Sequence, residues 1–272
     1  MYLPYWKLRE KPFNNTPDPQ FFYFSTQHED ALMKLSYVVT ENAGAGMLSG
    51  IFGCGKTAIA HALMHNLRDS YRFSYISYPH SSPEDLLRSI VRSLVPDALP
   101  EVRSELLMDS LLQKLKKFIE DNTSSGYGAV IIIDEAHLIK DLSVLESLRL
   151  LLNFQTEKNF LLSVILIGQP ELTETVNSVK QLRQRIAVHC KIGRMNEEDT
   201  TKYIQSRMKA AGAEHEIFTP EAVSAIYEAT SGIPRNINRV CGLSLFKGFA
   251  DKLESISGEI IQKTIQEFGI DV

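Results

Sequence analysis

Cysteine is scarce in this sequence, and the few cysteines are far apart. The 272 residues include three, Cys54, Cys190 and Cys241, with no CxxC pair and no histidine at a metal-binding spacing from any of them. This pattern argues against a disulfide framework and against a zinc site. It fits a chain that works in a reducing compartment.

Long hydrophobic runs are absent as well. The longest apolar stretches, AVIII and FLLSVILIG, are far shorter than the ~20 residues that a helix needs to cross a bilayer. The N-terminal stretch MYLPYWKLREKPF has no apolar core followed by small residues, so it does not have the pattern of a secretory signal. We therefore expect a soluble, cytoplasmic chain with no membrane segment.

An excess of charge of either sign is also missing. The chain has 29 Lys and Arg residues against 33 Asp and Glu residues, a formal net charge of −4. As a whole it is not a polycation suited to nucleic acid or anionic lipid. Its length allows one large domain, or a large domain with a small one.

The middle of the chain alternates apolar strands with amphipathic helices. Strands are predicted at residues 46–50, 72–78, 129–134, 161–168 and 186–192. Near-continuous apolar runs such as AVIII are typical of parallel strands that are covered on both faces. The alternation predicts an α/β fold with a doubly wound parallel sheet at residues 46–195. Residues 1–45 are predicted to be an anchoring segment, rich in proline and aromatics, and a helix of the same domain.

From residue 196 to residue 272 the pattern is helical throughout. Four segments with helical periodicity follow one another, and no strand is evident. Asn196, Thr219 and Ser257 stand where N-cap residues are expected. We predict a small, all-helical second domain at residues 196–272.

Residues 50–57, GIFGCGKT, satisfy the pattern G-x-x-x-x-G-K-[ST] between a predicted strand and a predicted helix. The glycines let backbone N–H groups converge on phosphate oxygens, and the helix adds its positive end. Lys56 is expected to reach the terminal phosphates of ATP, and the hydroxyl of Thr57 to ligate Mg²⁺. The predicted ATP-binding residues are Gly50, Ile51, Phe52, Gly53, Cys54, Gly55, Lys56, Thr57 and Ala58.

An acidic pair follows the third predicted strand, in AVIIIDEAH. Asp134 is predicted to hold the Mg²⁺ shell, and Glu135 to polarise the attacking water as a general base. Asp134 follows Lys56 by 78 positions, which leaves room for an additional strand between the two motif strands. We predict that the two motifs form one Mg-ATP hydrolysis site. DEAH also occurs in helicases, but the chain has no room for their second ATPase-like lobe, so His137 is interpreted as a structural polar residue.

With these motifs the sequence resembles the AAA+ ATPases, and more narrowly the ATPase domain of the general secretion pathway protein A family (the ExeA type). The resemblance covers nearly the whole chain and includes YWKLREKPFNNTPDPQFFYFS, the glycine loop, IIIDEAH, GQPEL, QLRQRI and GIPRNINRVC. It implies a P-loop AAA+ fold, with a five-stranded parallel sheet of order 5-1-4-3-2 and a helical lid domain. One departure is His137, where family members usually carry glutamine.

The resemblance also implies roles for four further residues. Gln169, in GQPEL, matches the polar sensor of the γ-phosphate. Arg235, in GIPRNIN, matches the lid arginine that reaches over the nucleotide. Arg183 and Arg185, in QLRQRI, match the region that supplies an arginine finger to the ATP of a neighbouring subunit, a task that suits the permanent charge of arginine. Which of the two is the finger stays open, and a surface or salt-bridged arginine is the alternative for each of the three.

The aromatic residues near the N-terminus allow two interpretations. Phe13 and the FFYF stretch at residues 21–24 could line an adenine pocket or could seal an edge of the sheet. The second interpretation is the preferred one.

The resemblance further implies self-association into a nucleotide-dependent oligomer. The leading hypothesis is an Mg-dependent ATPase that drives or regulates assembly of an unidentified protein partner, as in secretion or export. The alternative is a DNA-associated regulator of the transposition-helper type. A third hypothesis is a nucleotide-binding switch with negligible turnover.

Overall fold

The computed structural model of the chain describes residues 1–16, 19–79, 82–95, 108–156 and 160–270. The sequence pattern also predicts a helix at residues 105–121, and the structure describes it from Met108 because residues 105–107 lie outside the described part. Short 3₁₀ turns cover Pro19–Phe21 and Ala136–Leu138. The α-helices of the described residues are α1 Thr26–Thr40, α2 Lys56–Leu67, α3 Pro83–Leu94, α4 Met108–Ser124, α5 Leu142–Leu151, α6 Leu172–Ser178, α7 Lys180–Arg183, α8 Glu197–Ala210, α9 Pro220–Thr230, α10 Pro234–Ala250 and α11 Gly258–Glu267.

A parallel sheet of five strands forms the centre of the α/β part. The strands are β1 Ala45–Gly50, β2 Tyr71–Ile76, β3 Gly128–Ile133, β4 Leu162–Gly168 and β5 Ile186–Ile192. Their order is β2-β3-β4-β1-β5, with every neighbouring pair parallel. Read from the other edge this is 5-1-4-3-2, so the predicted order is confirmed. One strand lies between β1 and β3, as expected, but it is β4, whereas the strand that the motif spacing accommodates is β2, at the edge of the sheet.

The sheet is the core of a compact unit made of His28–Ile51 and Ile59–Ile192. All residues of β1 and β4 are buried, and β3 is buried from Ala129 onward. Helices α3, α4 and α5 pack their apolar sides into the same core cluster, for example with Ile90, Leu115 and Leu148. Burial on both faces explains why these strands are near-continuous apolar runs in the sequence.

A second compact unit consists of Met1–Gln27, Phe52–Ala58 and Gly193–Val272. Its core is built by helices α8 to α11 together with the N-terminal segment. Trp6 is buried and donates its ring N–H to the carbonyl of Leu245 at 2.9 Å. The division of the chain into 1–45, 46–195 and 196–272 stays a prediction.

Two of the three expected N-cap residues form the capping hydrogen bond with their side chains. The side chain of Asn196 accepts from the backbone N–H of Asp199 at 2.7 Å, and that of Thr219 accepts from Ala222 at 3.3 Å. Ser257 precedes α11, but within the described residues its side chain makes no capping hydrogen bond. Ser257 is therefore the N-cap residue of α11, as predicted, but its side chain does not form the capping hydrogen bond in the described part of the chain.

Phe13 and Phe21 of the N-terminal segment pack among helices. Phe13 and Phe21 are buried in the core of the helical unit, and the ring of Phe13 packs edge-on against Phe218. Arg207 of α8 holds the same segment by donating to the carbonyls of Pro12 at 2.7 Å and Asn14 at 2.9 Å. The preferred interpretation of a sheet-edge anchor is therefore wrong for Phe13 and Phe21, because their apolar surface is covered by helices.

Candidate active site

Three of the predicted site residues stand at one edge of the sheet. Asp134 and Glu135 follow β3, and Gln169 follows β4. Because parallel strands end at the same edge, these side chains lie at the carboxyl edge, where open α/β sheets bind their ligands. β1 ends there too, at Gly50, and leads into the glycine loop.

Asp134 is held in a fixed orientation by two hydrogen bonds. It is 3% exposed, and one carboxylate oxygen accepts from the backbone N–H of Glu135 at 2.8 Å. The other oxygen accepts from the hydroxyl of Tyr75, on the neighbouring strand β2, also at 2.8 Å. Burial and the nearby charge of Asp134 raise the pKa of Tyr75, so its phenol remains a donor at neutral pH.

Glu135 has a left-handed backbone, with φ of 52°. For a residue other than glycine this conformation is uncommon and is often found at functional sites. It turns the chain sharply into the 3₁₀ turn Ala136–Leu138. The Glu135 side chain is 34% exposed, and its Oε2 lies 3.4 Å from Nδ1 of His137. A carboxylate that is neither buried nor fully solvated can meet a water molecule and accept its proton.

Gln169 also contacts His137. The amide nitrogen of Gln169 lies 3.0 Å from Nε2 of the imidazole ring. The ring of His137 thus stands between the predicted general base and the predicted phosphate sensor. Neither this contact nor that of Tyr75 with Asp134 was predicted, since both join residues far apart in sequence.

The glycine loop has the backbone that its sequence predicts. Gly53 and Gly55 have φ of +80° and +99°, which a residue with a side chain rarely adopts. A Cβ atom on Gly53 would also lie 3.0 Å from Cβ of Arg235. Lys56 begins α2 and is buried. Burial raises the pKa of the Cys54 thiol, which argues against a reactive thiolate in the loop.

Arg235 contacts the loop directly, within the helical unit. Its backbone N–H donates to the carbonyl of Gly53 at 3.3 Å. Its guanidinium carbon lies 4.3 Å from the centre of the Phe52 ring, which is 58% exposed. Cation–π contacts at exposed sites contribute about 0.5–1 kcal/mol, so a stronger ligand for the guanidinium could displace this one.

The two finger candidates lie at the opposite edge of the sheet. Arg183 ends α7 and Arg185 directly precedes β5, and the carbonyl of Arg185 accepts from the N–H of Ala45, the first residue of β1. This amino edge is about 20 Å from the carboxyl edge, the length of a six-residue strand. Within one chain the structure therefore does not bring Arg183 or Arg185 to Asp134 and Glu135.

The oxygen atoms of the two predicted metal ligands are of the kind that magnesium prefers. Mg²⁺ in phosphate sites takes one or two protein ligands, and substrate phosphates and water complete its shell. The hydroxyl of Thr57 and the carboxylate of Asp134 are ligands of this kind. Among the described residues, no group of three or more His, Cys, Asp or Glu side chains is placed to hold a metal by itself.

Comparison with known proteins decides the family. The family model described as "AAA domain" matches residues 39–176, about half of the chain, including both motifs. The chain belongs to the AAA domain family. This AAA domain is 34% identical over 253 residues to General secretion pathway protein A of Aeromonas hydrophila, a match that covers 92% of the chain. The chain spans 45% of the length of General secretion pathway protein A, and 39% of the length of a second curated relative that it matches.

Solved structures agree on the AAA+ fold. The ORC2 protein of Aeropyrum pernix, in ADPNP and ADP complexes, has a TM-score of 0.72 at 15% identity, covering 95% of this chain and 71% of that one. The ORC1 protein of the same organism, in complex with DNA, has a TM-score of 0.69 at 14% identity, covering 96% and 69%. At such identities the likeness shows the fold alone.

In the part of the chain that the structure describes, the helices fall short of the length and apolar character that spanning a membrane requires.

Proposed function

We propose that this AAA domain is an Mg-dependent ATPase in which the glycine loop and the acidic pair act on one nucleotide. The observation that supports the proposal is that the strands preceding the two motifs end at the same edge of one sheet. β1 leads into the glycine loop and β3 leads into Asp134 and Glu135, both at the carboxyl edge, with only β4 between them. This edge is where α/β folds bind nucleotides.

The loop would bind the phosphates and the metal. Positive φ at Gly53 and Gly55 lets the backbone N–H groups of residues 50–58 turn toward an anion, and the start of α2 adds a positive end. Lys56 would pair with the terminal phosphates. Thr57 and Asp134 would hold Mg²⁺, which neutralises charge on the phosphate oxygens.

The residues of the sheet edge would carry out the hydrolysis. Glu135 would accept a proton from the attacking water, and Gln169 would contact the γ-phosphate from the end of β4. Arg235 would leave the exposed ring of Phe52 for the phosphates, since an ion pair with a hydrogen bond is stronger than an exposed cation–π contact.

The first experiment measures ATP binding by calorimetry with and without Mg²⁺, and phosphate release. We expect Lys56→Ala to lower ATP affinity about 10- to 100-fold, because a charge-assisted contact to phosphate is lost. Lys116→Ala removes an ammonium group of the same kind from the exposed face of α4 and should change nothing. Absence of Mg-ATP binding by the unchanged protein would overturn the proposal.

We further propose that the ATPase works as a nucleotide-dependent oligomer on a protein partner. The finger candidates lie at the sheet edge away from the acidic pair, so they could complete only the site of another copy. The likeness to General secretion pathway protein A supports a role in assembling a secretion or export complex. Size measurement by light scattering with ADP and with a slowly hydrolysed ATP analogue tests this, and a monomer in both states contradicts it.

A second candidate function is a DNA-associated regulator of the transposition-helper type. The sequence resemblance leaves this alternative open, and the Aeropyrum pernix ORC1 protein, which shares the fold, was solved in complex with DNA. The formal charge of −4 gives no general attraction to nucleic acid. ATP-dependent filaments on duplex DNA, with an affinity that falls steeply with salt, would favour this candidate over the first.

A further inference from the structure

His137 occupies a position that its interpretation as a structural polar residue does not explain. Its side chain is 9% exposed and touches Glu135 on one side and Gln169 on the other. Both neighbours are assigned to the hydrolysis reaction in the proposed function. His137 itself is assigned no role there.

The partners of the ring determine where its proton lies. The Gln169 amide nitrogen can only donate, so Nε2 of His137, 3.0 Å away, must accept. A neutral imidazole that accepts at Nε2 carries its proton on Nδ1, the atom that faces Glu135. With the Gln169 amide turned over, its oxygen would accept from Nε2, and a doubly protonated ring would still direct a proton at Glu135. A general base must be an ionised carboxylate, which only accepts hydrogen bonds, so every arrangement that satisfies both Gln169 and an ionised Glu135 places a proton on Nδ1.

The contact between Nδ1 and Glu135 is incompletely formed. The two atoms are 3.4 Å apart, and within the described residues the buried Nδ1 makes no well-aligned hydrogen bond. A buried N–H group without an acceptor is costly, so a short movement of the carboxylate toward the ring is favourable. The partly exposed side chain of Glu135 has room for that movement, whereas the ring does not.

The ring is fixed by the end of β4. A Cβ atom on Gly168 would lie 3.2 Å from Nδ1 and 3.0 Å from the backbone nitrogen of His137. The absence of a side chain at Gly168 therefore makes the space in which the imidazole packs. A ring held on one side by β4 and bonded to Gln169 is a rigid support for a carboxylate.

We propose that His137 is a positioning residue that couples Gln169 to Glu135. Gln169 sets the orientation of the ring through Nε2, and the Nδ1 proton holds the Glu135 carboxylate where it can meet water. When Gln169 turns its amide toward a γ-phosphate, the imidazole ring loses its hydrogen bond at Nε2. The contact between Nδ1 and the Glu135 carboxylate then changes as well. The general base thereby responds to the nucleotide state. This inference rests on the proposed ATPase function.

The test compares two replacements of His137. His137→Phe keeps the planar ring but removes both nitrogens, and we expect kcat to fall about 10- to 100-fold, since small displacements of a catalytic group have effects of this size. KM and ATP affinity should stay within about twofold, because the proposed function assigns the binding of ATP to the glycine loop and Arg235 and not to His137. His137→Gln restores a donor and an acceptor on one side chain and should recover kcat to within about threefold.

A double-mutant cycle measures whether the effects of the two substitutions on kcat depend on each other, which a merely structural role of His137 would not produce. If His137 acts through Gln169, the loss in the pair His137→Phe and Gln169→Ala should be smaller than the product of the two single losses. Should phenylalanine prevent folding, as judged by circular dichroism, His137→Asn serves instead, since its short amide cannot reach both neighbours. Equal losses in the Phe and Gln variants, an unchanged kcat in both, or a fully multiplicative cycle would overturn the inference. Absence of hydrolysis by the unchanged protein would instead refute the ATPase function itself.

Discussion

Replacing Glu135 with glutamine is expected to lower kcat for ATP hydrolysis about 10²- to 10⁴-fold, the usual contribution of a general base. The amide has nearly the same shape as the carboxylate but cannot accept a proton from water. ATP affinity should be nearly unchanged, because the loop of residues 50–58 is untouched. Phosphate release under single-turnover conditions, together with calorimetry of ATP binding, measures the two effects separately.

Glu174→Gln is the matched control for this substitution. It makes the same carboxylate-to-amide change at an exposed position of α6, and should leave both quantities as they are. If Glu135→Gln released phosphate as fast as the unchanged protein, Glu135 would not be the base. The hypothesis of a nucleotide-binding switch with negligible turnover would then be favoured.

Much of the fold could be predicted because it depends on local patterns. β5, Ile186–Ile192, has the predicted bounds although it is only partly buried, and the fully buried β1 differs from its prediction by one residue. The left-handed glycines of the loop follow from a motif whose backbone only glycine allows. The strand order came from the resemblance to AAA+ proteins, since no single strand specifies its neighbours.

What could not be predicted are contacts between distant segments. Phe13 was expected to be buried, but an apolar ring packs equally well against helices and against a sheet edge. The sequence therefore does not show which of the two covers it. Nothing in the sequence around Tyr75 indicates that its hydroxyl donates to Asp134, at the end of the neighbouring strand. The ring of His137 meets Gln169, 32 positions away, only because β3 and β4 are neighbours and Gly168 leaves space. Side-chain partners of this kind depend on tertiary packing, which the sequence pattern does not encode locally.

The two finger candidates, Arg183 and Arg185, differ in their contacts. The guanidinium of Arg185 donates to the side chain of Asn153 at 3.2 Å and lies 5.3 Å from the centre of the Phe160 ring. Arg183 is exposed, at the end of α7. An arginine that is already bonded within its own unit loses those contacts on reaching another copy. Arg183 is therefore the better candidate for a residue that acts on a neighbouring subunit.

We expect Arg183→Ala to lower kcat about 10³-fold or more, the size of effect that arginine fingers have in phosphoryl transfer. Arg185→Ala should lower it much less and should mainly reduce thermal stability, because contacts inside the unit are lost. The measurement is phosphate release at protein concentrations above and below assembly, with ATP affinity followed in parallel. A large loss for Arg185→Ala alone would reverse the assignment.

Mixing two inactive variants tests whether the finger acts between subunits. Arg183→Ala copies keep Glu135, and Glu135→Gln copies keep Arg183. At an interface between one copy of each kind, Glu135 of the first copy and Arg183 of the second act on the same ATP. The mixture should therefore regain hydrolysis that neither variant shows alone. A finger acting within its own chain would leave the mixture inactive. That outcome would also conflict with the sheet geometry, which places Arg183 about one strand length from Glu135 of the same chain.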